Sequence, residues 1–182
     1  MPTTDDDLLR ALRGGDSSAL AELYHRHKGA LYRFALRVAG ETSTAEDAIH
    51  DAFMKLSEHP ESITSPGGVR PWLFAVVRNA LYLRFRKENR EGSLDEETLA
   101  DDDTPQSLLE AKERNALVVG LLGRLTPVYR EVLVLREYDH LSYAEIACIT
   151  GDSESSVKSR LFKARKALAS KLSQRRLNDA HV

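Results

Sequence analysis

The chain has 182 residues, 42% of them hydrophobic and 30% charged, with 26 basic and 28 acidic side chains. This composition supports a folded core and excludes a chain that is disordered throughout. The lone cysteine, Cys148, excludes an intramolecular disulfide and a zinc site built from several thiolates.

Apolar residues recur at helical spacing along most of the chain, and no segment alternates as a half-buried strand does. The sequence therefore predicts an all-α fold. A first helix is predicted around residues 8–12, and a second apolar stripe runs through residues 20–38 after the Gly-Gly-Asp break at 14–16.

A third helix is predicted to begin after Thr44, its expected N-cap, with negative charge in the first turn, where it suits the helix dipole. Its packed face carries Ala45, Ile49, Phe53 and Leu56. Its other face carries Asp47, His50, Asp51 and Met54. Such a face is either ordinary solvated surface or a site that steers and anchors a basic partner.

A loop at residues 60–68 leads to a fourth helix, which is predicted to run from Pro71 to about Lys87. Between Arg70 and Arg90 there are six basic side chains and one acidic side chain, interleaved with four aromatic ones. Cations for phosphates and aromatic rings for unstacked bases suit a helix that binds nucleic acid. Trp72 is assigned to the core, where a helical tryptophan more often lies.

Residues 91–103 hold seven acidic side chains and no basic one, and the segment 91–107 lacks apolar periodicity. We expect an acidic flexible linker there, which repels DNA and lets two flanking domains find separate sites. The predicted fold class is all-α, with two small helical domains, residues 1–90 and 108–182, joined by this linker.

The second domain is predicted to hold helices at residues 108–122, 128–138, 143–150 and 154–172. Ser142 and Glu145 have the spacing of a capping box before the third of these helices. Gly151 and Asp152 form a turn after it, and Ser153 caps the last helix. This arrangement is a helix-turn-helix, a motif that binds DNA.

The last helix is strongly basic, since residues 155–176 carry eight basic side chains and no acidic one. Its inward positions are Val157, Leu161, Ala164 and Leu168, and its outward arc holds Lys158, Ser159, Phe162, Lys163, Arg165 and Lys166. Lys and Arg can contact phosphates or guanine in the major groove, and Phe can contact a thymine methyl group. A basic helix alone is more often solvated surface, but the preceding helix and glycine turn favour DNA binding.

Three segments of this second domain resemble a known family: Leu125–Leu133, Leu141–Ala147 and Val157–Arg165. They are similar to the C-terminal domain of extracytoplasmic-function sigma factors, a subfamily of the bacterial sigma-70 factors. The resemblance implies that this domain reads the minus-thirty-five promoter element. The DNA contacts that it implies are Lys158, Ser159, Phe162, Lys163 and Arg165.

Residues 8–90 resemble the same family. The segment Ala45–Leu56 is similar to one that docks on a coiled coil of the largest polymerase subunit, and the segment Val69–Asn79 is similar to the family's minus-ten helix. The core-polymerase contacts implied are Glu46, Asp47, Asp51 and Met54. The minus-ten contacts implied are Arg70, Arg78, Asn79 and Arg86. The preceding loop, Ile63–Arg70, is then expected to hold a flipped base.

The resemblance implies a transcription initiation subunit, not an enzyme, that binds core RNA polymerase and promoter DNA and promotes DNA melting. It also implies control by an anti-sigma factor. One alternative is a stand-alone helix-turn-helix regulator, which leaves the segments Ala45–Leu56 and Trp72–Asn79 unexplained. The other is an enzyme with a catalytic N-terminal half, for which the sequence shows no convergent set of polar groups.

The remaining patterns predict no cofactor and no metal site. His25 and His27 point to different faces of one helix and suit no common zinc geometry, and there is no glycine-rich phosphate loop. Cys148 is assigned to the core as a small apolar residue. The first residues lack the pattern of a secretory signal, and no stretch approaches ~20 apolar residues. We therefore expect a cytoplasmic chain without membrane insertion.

Overall fold

The computed structural model describes residues 3–64, 67–91 and 120–179. Its α-helices are α1 (Asp5–Arg13), α2 (Ser17–Ala39), α3 (Thr42–Glu58), α4 (Val69–Glu91), α5 (Pro127–Leu133), α6 (Tyr143–Thr150) and α7 (Glu154–Asp179). A 3-10 turn, Pro60–Ser62, follows α3, and a π-helical turn, Val134–Tyr138, continues α5. No strand occurs in these ranges, so the predicted all-α fold is confirmed.

The described helices form an N-terminal half, α1 to α4, and a C-terminal half that begins at residue 120. The predicted acidic linker at 91–107 and most of the predicted helix at 108–122 lie outside the described residues. Of these segments the structure describes the last residue of α4, Glu91, and a helical stretch at residues 120–123.

In the N-terminal half, α2, α3 and α4 pack on one another. Phe34 and Phe74 meet edge to face in their core, with ring centroids 5.3 Å apart. Charge also holds α1 to α2, because the Asp5 carboxylate lies 2.7 Å from Nε2 of the buried His27 and 2.7 Å from an Arg26 nitrogen. His27 therefore has a structural role.

In the C-terminal half, α5 and α6 both pack against α7. The predicted capping box is present, since the Ser142 hydroxyl accepts from the Glu145 N–H at 3.2 Å and the Glu145 carboxylate accepts from the Ser142 N–H at 2.8 Å. Gly151 ends α6 with a φ of 72°, a left-handed conformation that favours glycine. The turn leads directly into α7, which confirms the predicted helix-turn-helix.

Some helix ends differ from the prediction. α3 begins before Thr44, because the Ala45 N–H donates to the Glu41 carbonyl at 3.1 Å and closes an earlier turn. Thr44 is therefore not the N-cap, and its hydroxyl donates to the Glu41 carboxylate. α4 and α7 continue past their predicted ends to Glu91 and Asp179, since no glycine or proline interrupts them sooner.

Two core assignments also need correction. Cys148 is exposed, because the inward positions of the short α6 are occupied by Ile146 and Ile149. Trp72 packs against the core but is only partly buried, whereas its neighbour Leu73 is fully buried.

The two halves pack against each other around one buried carboxylate. Glu131 of α5 is 0% exposed and accepts two hydrogen bonds from Arg78 of α4, at 2.7 and 3.2 Å. Arg160 of α7 lies 4.0 Å from the same carboxylate and donates to Asp152 in the turn at 2.5 and 3.0 Å. Glu131 thus connects both halves and the helix-turn-helix.

A second arginine strengthens this interface. Arg130 donates to the carbonyl of Val38 in α2 at 2.5 Å, and to the carbonyls of Leu122 and Gly123 at 2.9 and 2.7 Å. Burial lowers the pKa of Arg130 from its ordinary value. The guanidinium therefore ties the end of α2 to the start of the C-terminal half.

We expect Glu131→Ala to lower the free energy of unfolding by about 3 kcal/mol, because it leaves the partly buried Arg78 without its carboxylate partner and removes one of the two carboxylates near Arg160. Urea titration followed by circular dichroism measures this loss.

Glu137→Ala is the control, since the Glu137 carboxylate pairs with Arg165 at an exposed site and its removal should change the free energy by less than about 1 kcal/mol. Equal losses from the two variants would contradict the role given to Glu131.

Candidate nucleic-acid interface

One face of α7 is exposed to solvent on the surface of the C-terminal half. Val157, Leu161 and Ala164 are buried, which turns the rest of the helix outward. The predicted contact residues of this helix are all exposed: Lys158, Ser159, Phe162, Lys163 and Arg165. The Phe162 side chain is 70% exposed, so an aromatic ring stands among cations and a hydroxyl.

Two cations of this face have partners within the chain. Arg165 donates to Glu137 at 2.6 and 3.1 Å, and these hydrogen bonds raise the pKa of Arg165. The Lys158 ammonium lies 5.3 Å from the centroid of the Tyr143 ring. Exposed pairs of this kind contribute little to stability, so both cations remain accessible to an anionic partner.

A polar groove of about 570 Å³ opens at the start of α7. Its wall is rich in hydroxyl groups and cations and is formed by Tyr129, Ser153, Ser155, Ser156, Ser159, Arg160 and Lys163. Hydroxyls, cations and the first amides of a helix are suited to backbone phosphates. Tyr129, Ser155 and Ser156 are not among the contacts predicted from the sequence. The serine cluster around position 155 could have indicated the two serines.

The predicted minus-ten residues of α4 lie on two different faces. Asn79 and Arg86 are exposed and lie two helical turns apart on the same side. Arg70 and Arg78 instead point toward the C-terminal half. The structure therefore places Asn79 and Arg86 on the solvent-facing side of α4, and Arg70 and Arg78 on the side that meets the C-terminal half.

Arg70 and Arg78 are both engaged with the C-terminal half. Arg70 donates to the Asp139 carbonyl at 3.0 Å, and another of its nitrogens lies 3.8 Å from the Glu145 carboxylate. Burial opposes the charge on Arg78, but its hydrogen bonds to Glu131 raise the pKa above its ordinary value. Arg78 also donates to the Asn79 Oδ1 at 3.4 Å, so of the two arginines only Arg70 lies apart from Asn79.

The loop expected to hold a flipped base, Ile63–Arg70, is described apart from residues 65 and 66. Ile63 is buried, and its carbonyl accepts from Arg13 of α1 at 3.0 Å. Thr64 and Gly67 are exposed. One end of the loop is thus fixed to α1 while these two residues face solvent.

The residues predicted to contact core polymerase lie on the exposed side of α3. Asp47, Asp51 and Met54 share one face by helical spacing, with Glu46 at its edge, and all four are exposed. Met54 is 47% exposed and places an apolar group beside the two Asp carboxylates. Asp47 also accepts from Arg84 of α4 at 3.0 Å.

Asp139 lies between the halves, directly after the π-helical turn. It is 8% exposed, and its Oδ2 finds no hydrogen-bond partner within the described part of the chain. Burial raises the pKa of Asp139 to about 6, against the attraction of Arg33, Arg37 and Arg70. The interface therefore favours the neutral form of this carboxyl group more than water does, and the group keeps its proton up to a higher pH.

Among the helices that the structure describes, none combines the length and the apolar character needed to cross a bilayer. Over the same residues, no three side chains of His, Cys, Asp or Glu are grouped so that they could hold a metal ion.

Comparison with known families gives two matches. Residues 23–91 match the family described as sigma-70 region 2. Residues 115–168 match the family described as sigma-70, region 4. The first match covers α3, α4 and most of α2, and the second covers the helix-turn-helix.

Two relatives resemble the chain over most of its length. The ECF RNA polymerase sigma factor SigL of Mycobacterium tuberculosis is 34% identical over 159 residues, which cover 84% of this chain and 88% of that protein. The ECF RNA polymerase sigma factor SigM of Bacillus subtilis is 32% identical over 160 residues, which cover 87% of this chain and 97% of that protein.

A solved structure has a similar fold. The sigma factor RpoE from Bartonella quintana, in complex with the anti-sigma factor NepR, superimposes with a TM-score of 0.72 at 26% identity. The match covers 84% of this chain and 96% of that one.

The raised pKa of Asp139 makes stability depend on pH. Between the ordinary pKa of 3.8 and about 6, the folded chain keeps a proton that the unfolded chain releases, so stability falls as pH rises through this window. Asp139→Asn cannot ionise and is expected to be more stable than the wild type at pH 7.5, by about 2 to 3 kcal/mol. The difference should vanish well below the ordinary pKa of 3.8, at about pH 3, where Asp139 is neutral in the folded and the unfolded chain.

Urea titrations from about pH 3 to about pH 8 measure this difference. Asp51→Asn, at an exposed position of α3, is the control and should keep the wild-type profile. A pH-independent difference between Asp139→Asn and the wild type would contradict the explanation.

Proposed function

Because the chain belongs to the extracytoplasmic-function subfamily of sigma-70 RNA polymerase sigma factors, we propose that it binds core RNA polymerase, recognises a bipartite promoter and promotes DNA melting at initiation. The observation that carries this proposal is the helix-turn-helix, whose second helix presents cations, a hydroxyl and an aromatic ring on one exposed face. In this role the chain is an initiation subunit and catalyses no reaction itself.

For the minus-thirty-five element, we propose that α7 enters the major groove. Lys158, Lys163 and Arg165 then contact phosphates or guanine edges, Ser159 donates to or accepts from a base, and Phe162 packs against a thymine methyl group. The groove at the start of α7 adds hydroxyl groups for the flanking phosphates.

For the minus-ten element, we propose contacts by Asn79 and Arg86, joined by Arg70 and Arg78 when the halves separate. Separation is required by distance, since the two elements lie about 25 base pairs, or roughly 85 Å, apart at ~3.4 Å per base pair. A compact chain of this length has a radius of gyration of only about 16 Å.

We further propose that residues 1–90 and 108–182 act on DNA as separate domains. The segment 91–107 then serves as the linker, and its 17 residues can extend to about 60 Å. That reach, added to the size of the two domains, matches the separation of the promoter elements. Its acidic side chains keep the linker itself away from DNA.

The α3 face formed by Glu46, Asp47, Asp51 and Met54 is the proposed contact with core polymerase. Carboxylates steer the chain toward a basic surface, and the exposed Met54 supplies an apolar anchor. The related RpoE is solved in complex with an anti-sigma factor, and on this basis we propose anti-sigma control of this chain as well. Promoter DNA and polymerase together imply a cytoplasmic location.

The double variant Lys158→Glu/Lys163→Glu is expected to reduce promoter-dependent run-off transcription with purified core polymerase at least 100-fold. Each reversal removes one phosphate contact and adds a repulsion, so the salt dependence of promoter binding should also fall by about 2 in slope.

Arg10→Glu/Lys28→Glu is the matched control, because it reverses two exposed cations of the N-terminal half. If both double variants transcribed like the wild type, the proposed role of α7 would fail. Duplex binding that needs no polymerase, without any transcript, would favour a stand-alone regulator.

The double variant Asp51→Lys/Met54→Ala is expected to weaken binding to core polymerase by about 100-fold, since it removes both the steering charge and the apolar anchor. Fluorescence anisotropy with labelled chain and purified core polymerase measures the affinity. Glu58→Lys, at the exposed end of α3, is the control. An unchanged affinity in the double variant would exclude this face as the polymerase contact.

A further inference from the structure

Helix α4 carries an exposed leucine that its packing does not require. Leu83 is 70% exposed, while Val77 and Leu81 on the opposite side of the helix are fully buried. By helical spacing Leu83 lies between Asn79 and Arg86, one turn from each, and both neighbours are exposed as well. An amide, an apolar side chain and a guanidinium thus form one outward stripe.

The charge around this stripe indicates what it contacts. From Arg70 to Lys87 the chain has five basic side chains and no acidic one. A cationic helix attracts a polyanion such as DNA. The apolar group that DNA presents at its base edges is the 5-methyl group of thymine. The stripe therefore complements DNA better than it complements an apolar protein surface.

We propose that Leu83 is a specificity-determining residue, which packs against the 5-methyl group of one thymine in the minus-ten element. Asn79 and Arg86 on either side then contact a neighbouring base edge and a phosphate. This inference rests on the proposed function of α4 and deepens it. Burial of one methyl group corresponds to about a fourfold preference, from ~0.8 kcal/mol.

The first test uses run-off transcription from a promoter library randomised across the minus-ten element, with purified core polymerase and the full chain. The wild type should prefer thymine at one position by about fourfold, and Leu83→Ala should lose the preference at that position alone. Leu172→Ala, which shortens another exposed leucine, is the matched control and should keep the wild-type preference.

The second test replaces that thymine by deoxyuridine, which removes only the methyl group. Transcription by the wild type should fall about fourfold, and transcription by Leu83→Ala should not change. Thermal unfolding of Leu83→Ala should match the wild type, because the side chain is exposed.

Two outcomes would overturn the inference. An unaltered base preference in Leu83→Ala would show that the side chain reads no base. An equal loss on every promoter would place Leu83 against the polymerase instead of DNA. If the wild-type chain itself gave no promoter-dependent product, the proposed function would fail and not merely the role of Leu83.

Discussion

Glu131 carries a carboxylate that is removed from water, and such a charge is stable only with close partners. Arg160 comes from the same half and also bonds Asp152 in the turn, whereas Arg78 comes from the other half. One anion therefore fixes the helix-turn-helix and docks the two halves together. Glu131 therefore helps to fix the position of α7 relative to α4, together with the hydrogen bonds of Arg70 and Arg130 across the same interface.

Because Glu131 pairs with Arg78, the sides of α4 face different surroundings. Its Leu81 side faces the core, its Arg78 side faces Glu131, and its Asn79 side faces solvent. In the proposed function the halves part on a promoter, and a phosphate then takes the place of Glu131 as the partner of Arg78. Both partners accept charge-assisted hydrogen bonds, so the exchange keeps the guanidinium satisfied.

Local features made most of the fold predictable, because caps, glycine turns and apolar spacing act over a few residues. The capping box at Ser142 and the turn at Gly151 are of this kind, and they located the helix-turn-helix. The pairing of Arg78 with Glu131 joins positions 53 residues apart, and no local pattern signals it. The sequence therefore predicted Arg78 as a DNA contact but not as a link between halves. Cys148 was misplaced because two turns of helix define a buried face poorly.

The proposed DNA contacts also differ in how deeply their ion pairs within the chain are buried. The pair of Arg165 with Glu137 is half exposed, so water already competes for both groups and a phosphate displaces Glu137 readily. The pair of Arg78 with Glu131 is shielded, and breaking it requires the halves to separate. In the proposed function, the face of α7 is thus accessible to the minus-thirty-five element while the halves remain packed, whereas Arg78 of α4 becomes available only after they part. In the proposed function, recognition of the duplex element therefore comes before full engagement of the element that melts.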